Sequence, residues 1–230
     1  MMAALWCVVP AAGRGTRVGG DLPKQYLPLA GRPLILHTLD RLAAHPWIAG
    51  LMVVLGAGDE LWPSIGQLGG KPVLTAIGGA ERCDSVLAGL KALPADVSED
   101  AFVLVHDAAR PCVREADIAR LIEKGIPAGG GLLGAPLRDT LKRADADGRS
   151  HETEPRDHRW RAFTPQMFRR GDLSRALQAA TAAGVTVSDE AMAMERAGFS
   201  PLLVEGAEDN IKVTTAADFA LAEFLLPRTK

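Results

Sequence analysis

The segment Pro10-Ala11-Ala12-Gly13-Arg14-Gly15-Thr16-Arg17, followed by Pro23-Lys24-Gln25-Tyr26, sets small residues beside fixed positive charge. Small residues let the backbone approach a ligand closely, and successive N–H groups in such a loop can cradle phosphate oxygens. Arg17 and Lys24 would place full charges beside that cradle, which is chemistry suited to a polyphosphate. Two common phosphate loops do not account for it. GxxxxGK[ST] is absent, and Val18 stands where a dinucleotide fingerprint needs its third glycine.

Three further stretches carry chemistry. In Val105-His106-Asp107-Ala108-Ala109-Arg110-Pro111 a carboxylate follows an apolar run. A carboxylate facing a triphosphate is repelled unless a divalent cation lies between them, so Asp107 suggests Mg²⁺; capping the next turn is the simpler alternative. His106 is either a ligand or base, or a structural histidine at a strand end. Gly78-Gly79-Ala80-Glu81-Arg82-Cys83-Asp84-Ser85 joins two glycines to a helical pattern, so its backbone groups can read a base edge and Ser85 offers a hydroxyl one turn in. Asp209-Asn210-Ile211-Lys212-Val213-Thr214 places a carboxylate three residues before a lysine. At a sheet edge that spacing suits a second metal ligand and a phosphate cation; an ordinary surface strand needs neither.

These residues must be positioned by alternating elements. Leu5–Val9, Leu51–Leu55, Val73–Ile77 and Phe102–Val105 read as buried strands, while Pro33–Ala44 and Glu81–Leu93 read as helices. Between them Leu61–Leu68 is weak and interrupted by proline. Such alternation implies an α/β fold, a Rossmann-like, mostly parallel sheet with helices on both faces. Ligands in open α/β sheets sit beyond the carboxyl ends of the strands, which brings Asp107 near the loop after the first strand. Past residue 140 the pattern breaks: eleven of the twenty residues from Lys142 to Arg161 are charged. That stretch cannot build core, so it projects, either as a solvated loop or as an arm that reaches another subunit. Leu173–Ala183 and Asp189–Ala197 (helices), Leu202–Val204 (strand) and Ala216–Leu226 (helix) complete the reading. The expectation is one domain over 1–230 with residues 137–162 as the arm.

Composition narrows the class. With 230 residues, 47% hydrophobic and 23% charged, the chain can bury a core without metals or disulfides. A net charge of −2 gives no reason to expect nucleic acid or an anionic membrane as partner. An odd, sparse cysteine set (Cys7, Cys83, Cys112) fits a reducing compartment. No stretch is long and apolar enough to span a bilayer, and Met1–Ala12 lacks the basic start of a signal peptide. The cytoplasm is the expected location.

Taken together, these motifs, with Pro136-Leu137-Arg138-Asp139-Thr140, Thr164-Pro165-Gln166 and Ser188-Asp189-Glu190-Ala191, resemble the 2-C-methyl-D-erythritol 4-phosphate cytidylyltransferases of the non-mevalonate isoprenoid pathway. The resemblance covers nearly the whole chain. It implies a nucleotidyltransferase that uses CTP and methylerythritol phosphate and releases pyrophosphate. Ala11, Ala12, Gly13 and Gly15 would form the triphosphate loop, with Arg17 and Lys24 as catalytic cations. Gly79, Ala80 and Ser85 would take the cytosine, with Ala108 beside the nucleotide. Asp107 and Asp209 would hold Mg²⁺. The acceptor would meet Asp107, Arg110, Thr140, Ser188 and Lys212. Arg156 (with Arg159 and Arg161 as alternatives) and Thr164 would complete that pocket from the neighbouring protomer of a homodimer. Where Ala80 stands some relatives carry an acidic residue, and where Ser188 stands some carry threonine; a backbone contact and a hydroxyl survive these changes. Competing readings are a cytidylyltransferase for another polyol phosphate, such as ribitol 5-phosphate, and a nucleotide-binding regulatory module without catalysis.

Overall fold

Side chains along the first strand alternate between two cores: Cys7 and Val9 enter one, Val8 the other. A strand covered on both faces reads as a continuous apolar run, as this one does. The computed structural model describes residues 5–13 and 22–228. Its strands are β1 (Leu5–Pro10), the short β2 (Pro28–Leu29) and β3 (Arg32–Pro33), β4 (Ile48–Leu55), β5 (Gln67–Leu68) and β6 (Lys71–Ile77). There follow β7 (Phe102–Val105), β8 (Gly130–Pro136), β9 (Leu141–Ala144), β10 (Ser150–Glu154), β11 (Trp160–Arg169) and β12 (Leu202–Glu205). The helices are α1 (Leu34–Ala44), α2 (Arg82–Ala92), α3 (Glu115–Ala128), α4 (Arg170–Ala182), α5 (Glu190–Arg196) and α6 (Ala216–Leu225).

An eight-stranded sheet has the order β12-β8-β11-β7-β1-β4-β6-β5. Its strands run one way except β11 and the edge strand β5, which are antiparallel to their neighbours. The chain leaves β1 toward β4 and β6, then returns to β7 on the other side of β1. That reversal opens a crevice at the carboxyl ends of β1 and β7, where open α/β sheets bind ligands. Ile35, Leu39 and Leu42 of α1 and Ile118, Leu121 and Ile122 of α3 fill one core. Val86 and Leu90 of α2, Leu173 and Leu177 of α4, and Met194 of α5 fill the other. The expected fold class is therefore present.

The expected strands and helices recur with small shifts at their ends, and Leu61–Leu68 yields only the two-residue β5. Beyond the expectation are the short β2 and β3, the hairpin strands β9 and β10, and three longer elements, α3, β8 and β11. The apolar positions of α3 do follow helical spacing, but Gly125, Pro127 and the left-handed Gly129 obscure its end. In β8 the small sequence Gly130-Gly131-Leu132-Leu133-Gly134 lacks the β-branched residues that advertise a strand. β11 begins inside the charged stretch and contains Pro165, which argues against a central strand. Its ladder with β8 shifts register between Ala162 and Gln166, so proline sits in an irregularity rather than in paired strand. Trp160, Arg161 and Ala162, inside the bounds expected for the arm, pair with β8. What projects is the hairpin of β9 and β10, whose residues are almost all exposed.

Candidate active site

Each loop at the crevice is tied to the sheet where it begins. Ala11 N–H donates to the Val54 carbonyl (2.8 Å), Gly78 N–H to Leu55 (2.8 Å) and His106 N–H to Val8 (2.9 Å). Gln25, buried just past Lys24, donates to the Ala11 carbonyl (2.8 Å) and fixes the start of the loop after β1. Gly78 is there because nothing larger fits: an added Cβ would stand 2.6 Å from Ser85 Oγ and 2.8 Å from Ala12 Cβ. The loop into α2 is thus packed directly on the loop after β1.

Ala11, Ala12, Gly13, Lys24, Gly79, Ala80, Ser85 and Ala108 line a single cavity. These are all the expected nucleotide residues that fall among the described ones; Gly15 and Arg17 lie outside them, as do Arg14 and Val18. Ser85 donates to the Glu81 carbonyl (3.1 Å), so its hydroxyl is held at the cavity wall. Lys24 Nζ lies 3.1 Å from the Val213 carbonyl, at the cavity margin.

A second cavity adjoins the first and is lined by Asp107, Arg110, Thr164, Ser188 and Lys212, with Phe163, Gln166 and Asp189. Arg82, Asp107 and Lys212 face both cavities. Asp107 is the hub. Arg82 Nε donates to its Oδ1 (3.1 Å), while Lys212 Nζ (3.0 Å) and Arg110 Nε (3.3 Å) hold Oδ2. Burial alone would raise the Asp107 pKa, but the charges of Arg82, Lys212 and Arg110 prevail and hold it well below the ordinary carboxylate range. Arg110 also donates to the Asn210 carbonyl (2.7 Å) and lies 5.3 Å from the Phe163 ring centre.

His106 supports this geometry without lining either cavity. It is fully buried, with Nε2 3.1 Å from the Arg110 carbonyl and Nδ1 3.0 Å from the Thr164 hydroxyl. A carbonyl only accepts, so Nε2 carries the proton and Nδ1 accepts from Thr164. The Thr164 oxygen in turn accepts from Asp107 N–H (3.0 Å). Burial pushes the His106 pKa down to about 4, so the ring is neutral near pH 7. The unfolded histidine takes its proton near pH 6.5, while the folded one refuses it until about pH 4. Stability therefore falls as pH drops from 6.5 to 4 and levels off below, by up to about 3 kcal/mol from this group. Denaturant midpoints of wild type and His106→Gln across that range should show a shallower slope in the variant. Equal slopes would assign the acid sensitivity elsewhere, His45 being the other histidine whose burial lowers its pKa.

Some expected placements differ. Thr164 lies in the cleft of its own chain, because β11 runs antiparallel to β7 and carries Thr164 back beside Asp107. It is therefore not an arm residue delivered to a neighbour. Thr140 is exposed at the base of the hairpin and lines neither cavity. Arg156, exposed, donates to the Arg138 carbonyl of the same hairpin. Arg161 pairs with Glu208 and stacks by Phe163, and Arg159 is exposed. Asp209 pairs with Arg114 rather than lining either cavity, and its buried Oδ1 has no hydrogen-bond partner among the described residues. No group of three or more His, Cys, Asp or Glu side chains converges on a metal position among the described residues. Of the two expected metal ligands, Asp107 lines both cavities, where its carboxylate could add an oxygen to a phosphate-bound cation, and Asp209 lines neither.

The sequence alone points to no role for Arg82 or Glu190, although both lie within its motifs. Only the three-dimensional meeting of residues 108 apart reveals them. Gln25 likewise gives no local signal beyond its place after Lys24.

The family description for 2-C-methyl-D-erythritol 4-phosphate cytidylyltransferase matches residues 5–228. A curated protein of that name from Stenotrophomonas maltophilia (strain K279a) is 62% identical over 229 residues, covering 99% of each chain. The crystal structure of the Francisella tularensis enzyme of that name superposes with a TM-score of 0.84 at 30% identity, over 97% of this chain and 100% of the other. The Thermus thermophilus structure gives 0.78 at 31% identity, over 98% and 100%.

Proposed function

The chain belongs to the 2-C-methyl-D-erythritol 4-phosphate cytidylyltransferase family, and from that premise we propose how its own residues carry the reaction. The protein transfers the cytidylyl group of CTP to 2-C-methyl-D-erythritol 4-phosphate, giving 4-diphosphocytidyl-2-C-methyl-D-erythritol and pyrophosphate. It serves isoprenoid precursor biosynthesis; another polyol phosphate as acceptor is not favoured. The observation that carries the site assignment is the two adjoining cavities, which meet at Arg82, Asp107 and Lys212.

CTP occupies the first cavity, its triphosphate on the Ala11–Gly13 backbone and its base against Gly79, Ala80 and Ser85. The acceptor occupies the second, among Asp107, Arg110, Thr164, Ser188 and Lys212. A phosphate oxygen of the acceptor attacks the α-phosphorus in line and pyrophosphate leaves. That oxygen is already ionised near neutral pH and needs no general base, which agrees with a buried, neutral His106. Two anions must meet, so positioning and charge neutralisation dominate. Lys24 and Arg17 stabilise charge on the α-phosphate and the leaving group. Mg²⁺, brought with the triphosphate, would neutralise phosphate charge, with Asp107 or Asp209 as the protein donor.

The hairpin of β9 and β10 supports a homodimer. A lone two-stranded hairpin is marginal in water, and exposed pairs such as Arg143–Glu154 contribute only ~0–1 kcal/mol. A partner surface would stabilise it and bring Arg156 and Thr140 to the partner's acceptor cavity. On this reading Arg156→Ala raises KM for the acceptor by roughly tenfold or more and changes KM for CTP little. Equal effects on both substrates would remove Arg156 from the acceptor. Sedimentation of the intact protein tests the dimer itself. The cytoplasm remains the proposed location: no helix among the described residues is long and apolar enough to cross a membrane, and all three cysteines are free.

Pyrophosphate release with Mg²⁺ and CTP, comparing methylerythritol 4-phosphate with ribitol 5-phosphate, tests the reaction. Release that depends on CTP and methylerythritol 4-phosphate is expected. Release with ribitol 5-phosphate alone would overturn the acceptor, and no release from folded, CTP-binding protein would favour the regulatory module.

A further inference from the structure

Arg82 and Glu190 meet at the seam between the two cavities. Arg82 opens α2 and faces both cavities; Glu190 opens α5 and is 0% exposed. The two Glu190 oxygens accept from Arg82 Nη1 (2.6 Å) and Nη2 (3.2 Å). The same guanidinium reaches Asp107 Oδ1 through Nε (3.1 Å) and Nη2 (3.0 Å). One planar fork therefore spans two carboxylates, which a lysine ammonium cannot reproduce.

Among the described residues Arg82 is the sole hold on Asp107 Oδ1, since Arg110 and Lys212 both engage Oδ2. Without it the Asp107 carboxylate is restrained from one side only. Apolar packing could tie α2 to α5 without the desolvation cost of a buried ion pair. A pair serving only as that tie would have no reason to aim its arginine into the cleft. Glu190 sits behind Arg82 and sets the plane of the fork, and Arg82 in turn sets Asp107.

We propose that Arg82 is a positioning residue for the reaction: buried Glu190 aligns its guanidinium, which aims Asp107 at the acceptor. The assignment rests on the cytidylyltransferase reading. It separates the substrates, because Arg110, which shares Asp107, lines the acceptor cavity alone, while the CTP cradle is built largely from backbone.

The test uses Glu190→Gln and Arg82→Lys in the intact enzyme, with kcat and KM for each substrate and CTP affinity by calorimetry. In both variants kcat/KM for the acceptor falls on the order of 10²-fold, as a misaligned group costs, and CTP affinity changes by less than about threefold. Unchanged constants in folded Glu190→Gln, or equal losses for both substrates, would overturn the assignment. Should Glu190→Gln fail to fold, Arg82→Lys decides alone, because it leaves a cation beside both carboxylates. A wild-type enzyme with no CTP-dependent pyrophosphate release would instead refute the reaction and this assignment with it. Normal wild-type activity with unaltered variants refutes the positioning role alone.

Discussion

Lys24→Ala is expected to slow turnover by roughly 10²–10³-fold, the usual cost of removing one preorganised donor from developing charge. Lys24 opens a short 3-10 turn whose neighbours Gln25 and Tyr26 are buried, so its backbone is fixed by groups other than its own side chain. Gln25 anchors on Ala11, and the Tyr26 hydroxyl donates to Asp59 (2.7 Å). The side chain reaches the cavity margin beside Val213. Removing its charge should therefore leave the fold and the CTP cradle in place while depriving the α-phosphate of neutralisation. Single-turnover pyrophosphate release separates this from slow product release. A folded variant with wild-type turnover would remove Lys24 from the catalytic machinery.

The second large effect concerns Asp107. Asp107→Asn leaves Arg110, whose side chain is only 10% exposed, without its carboxylate, and removes the shared counter-charge of Arg82 and Lys212. Breaking a buried pair by deleting one partner costs about 3–5 kcal/mol. Arg110 keeps the Asn210 carbonyl and the Phe163 ring, and Arg82 keeps Glu190, so the lower end of that range is expected. Denaturant unfolding of variant and wild type measures the difference. A loss under about 1 kcal/mol would mean that water satisfies these cations. Because the Asp107 pKa is lowered in the fold, its contribution is complete above the unfolded value near 4 and declines only in stronger acid. The variant penalty should thus be constant from pH 5 to 8, in contrast to the His106 slope. The acceptor should suffer more than CTP in kcat/KM, since Arg110 and Lys212 lose their common anchor.

Local pattern carried much of this protein. Strands β1 and β7 are uninterrupted apolar runs because both their faces are covered, and the motifs at Pro10–Arg17 and His106–Arg110 follow them directly. Such runs and loops are written in contiguous residues, so the doubly covered sheet and the place of the Asp107 motif at the end of β7 were legible. The resemblance assembled them into one reaction. β8 and β11 were not legible. A glycine-rich strand and a strand containing proline hold their place only because neighbours in the sheet close around them, and no local propensity records that.

Tertiary structure decided the rest. Thr164 is a cleft residue because β11 returns antiparallel beside β7. His106 is structural because its two ring nitrogens are consumed by Thr164 and Arg110. The seam between the two cavities depends on Arg82, Asp107, Glu190 and Lys212 arriving from four separate parts of the chain. Charge is read from sequence as a residue type, but its effect depends on distance and burial, which only the fold supplies.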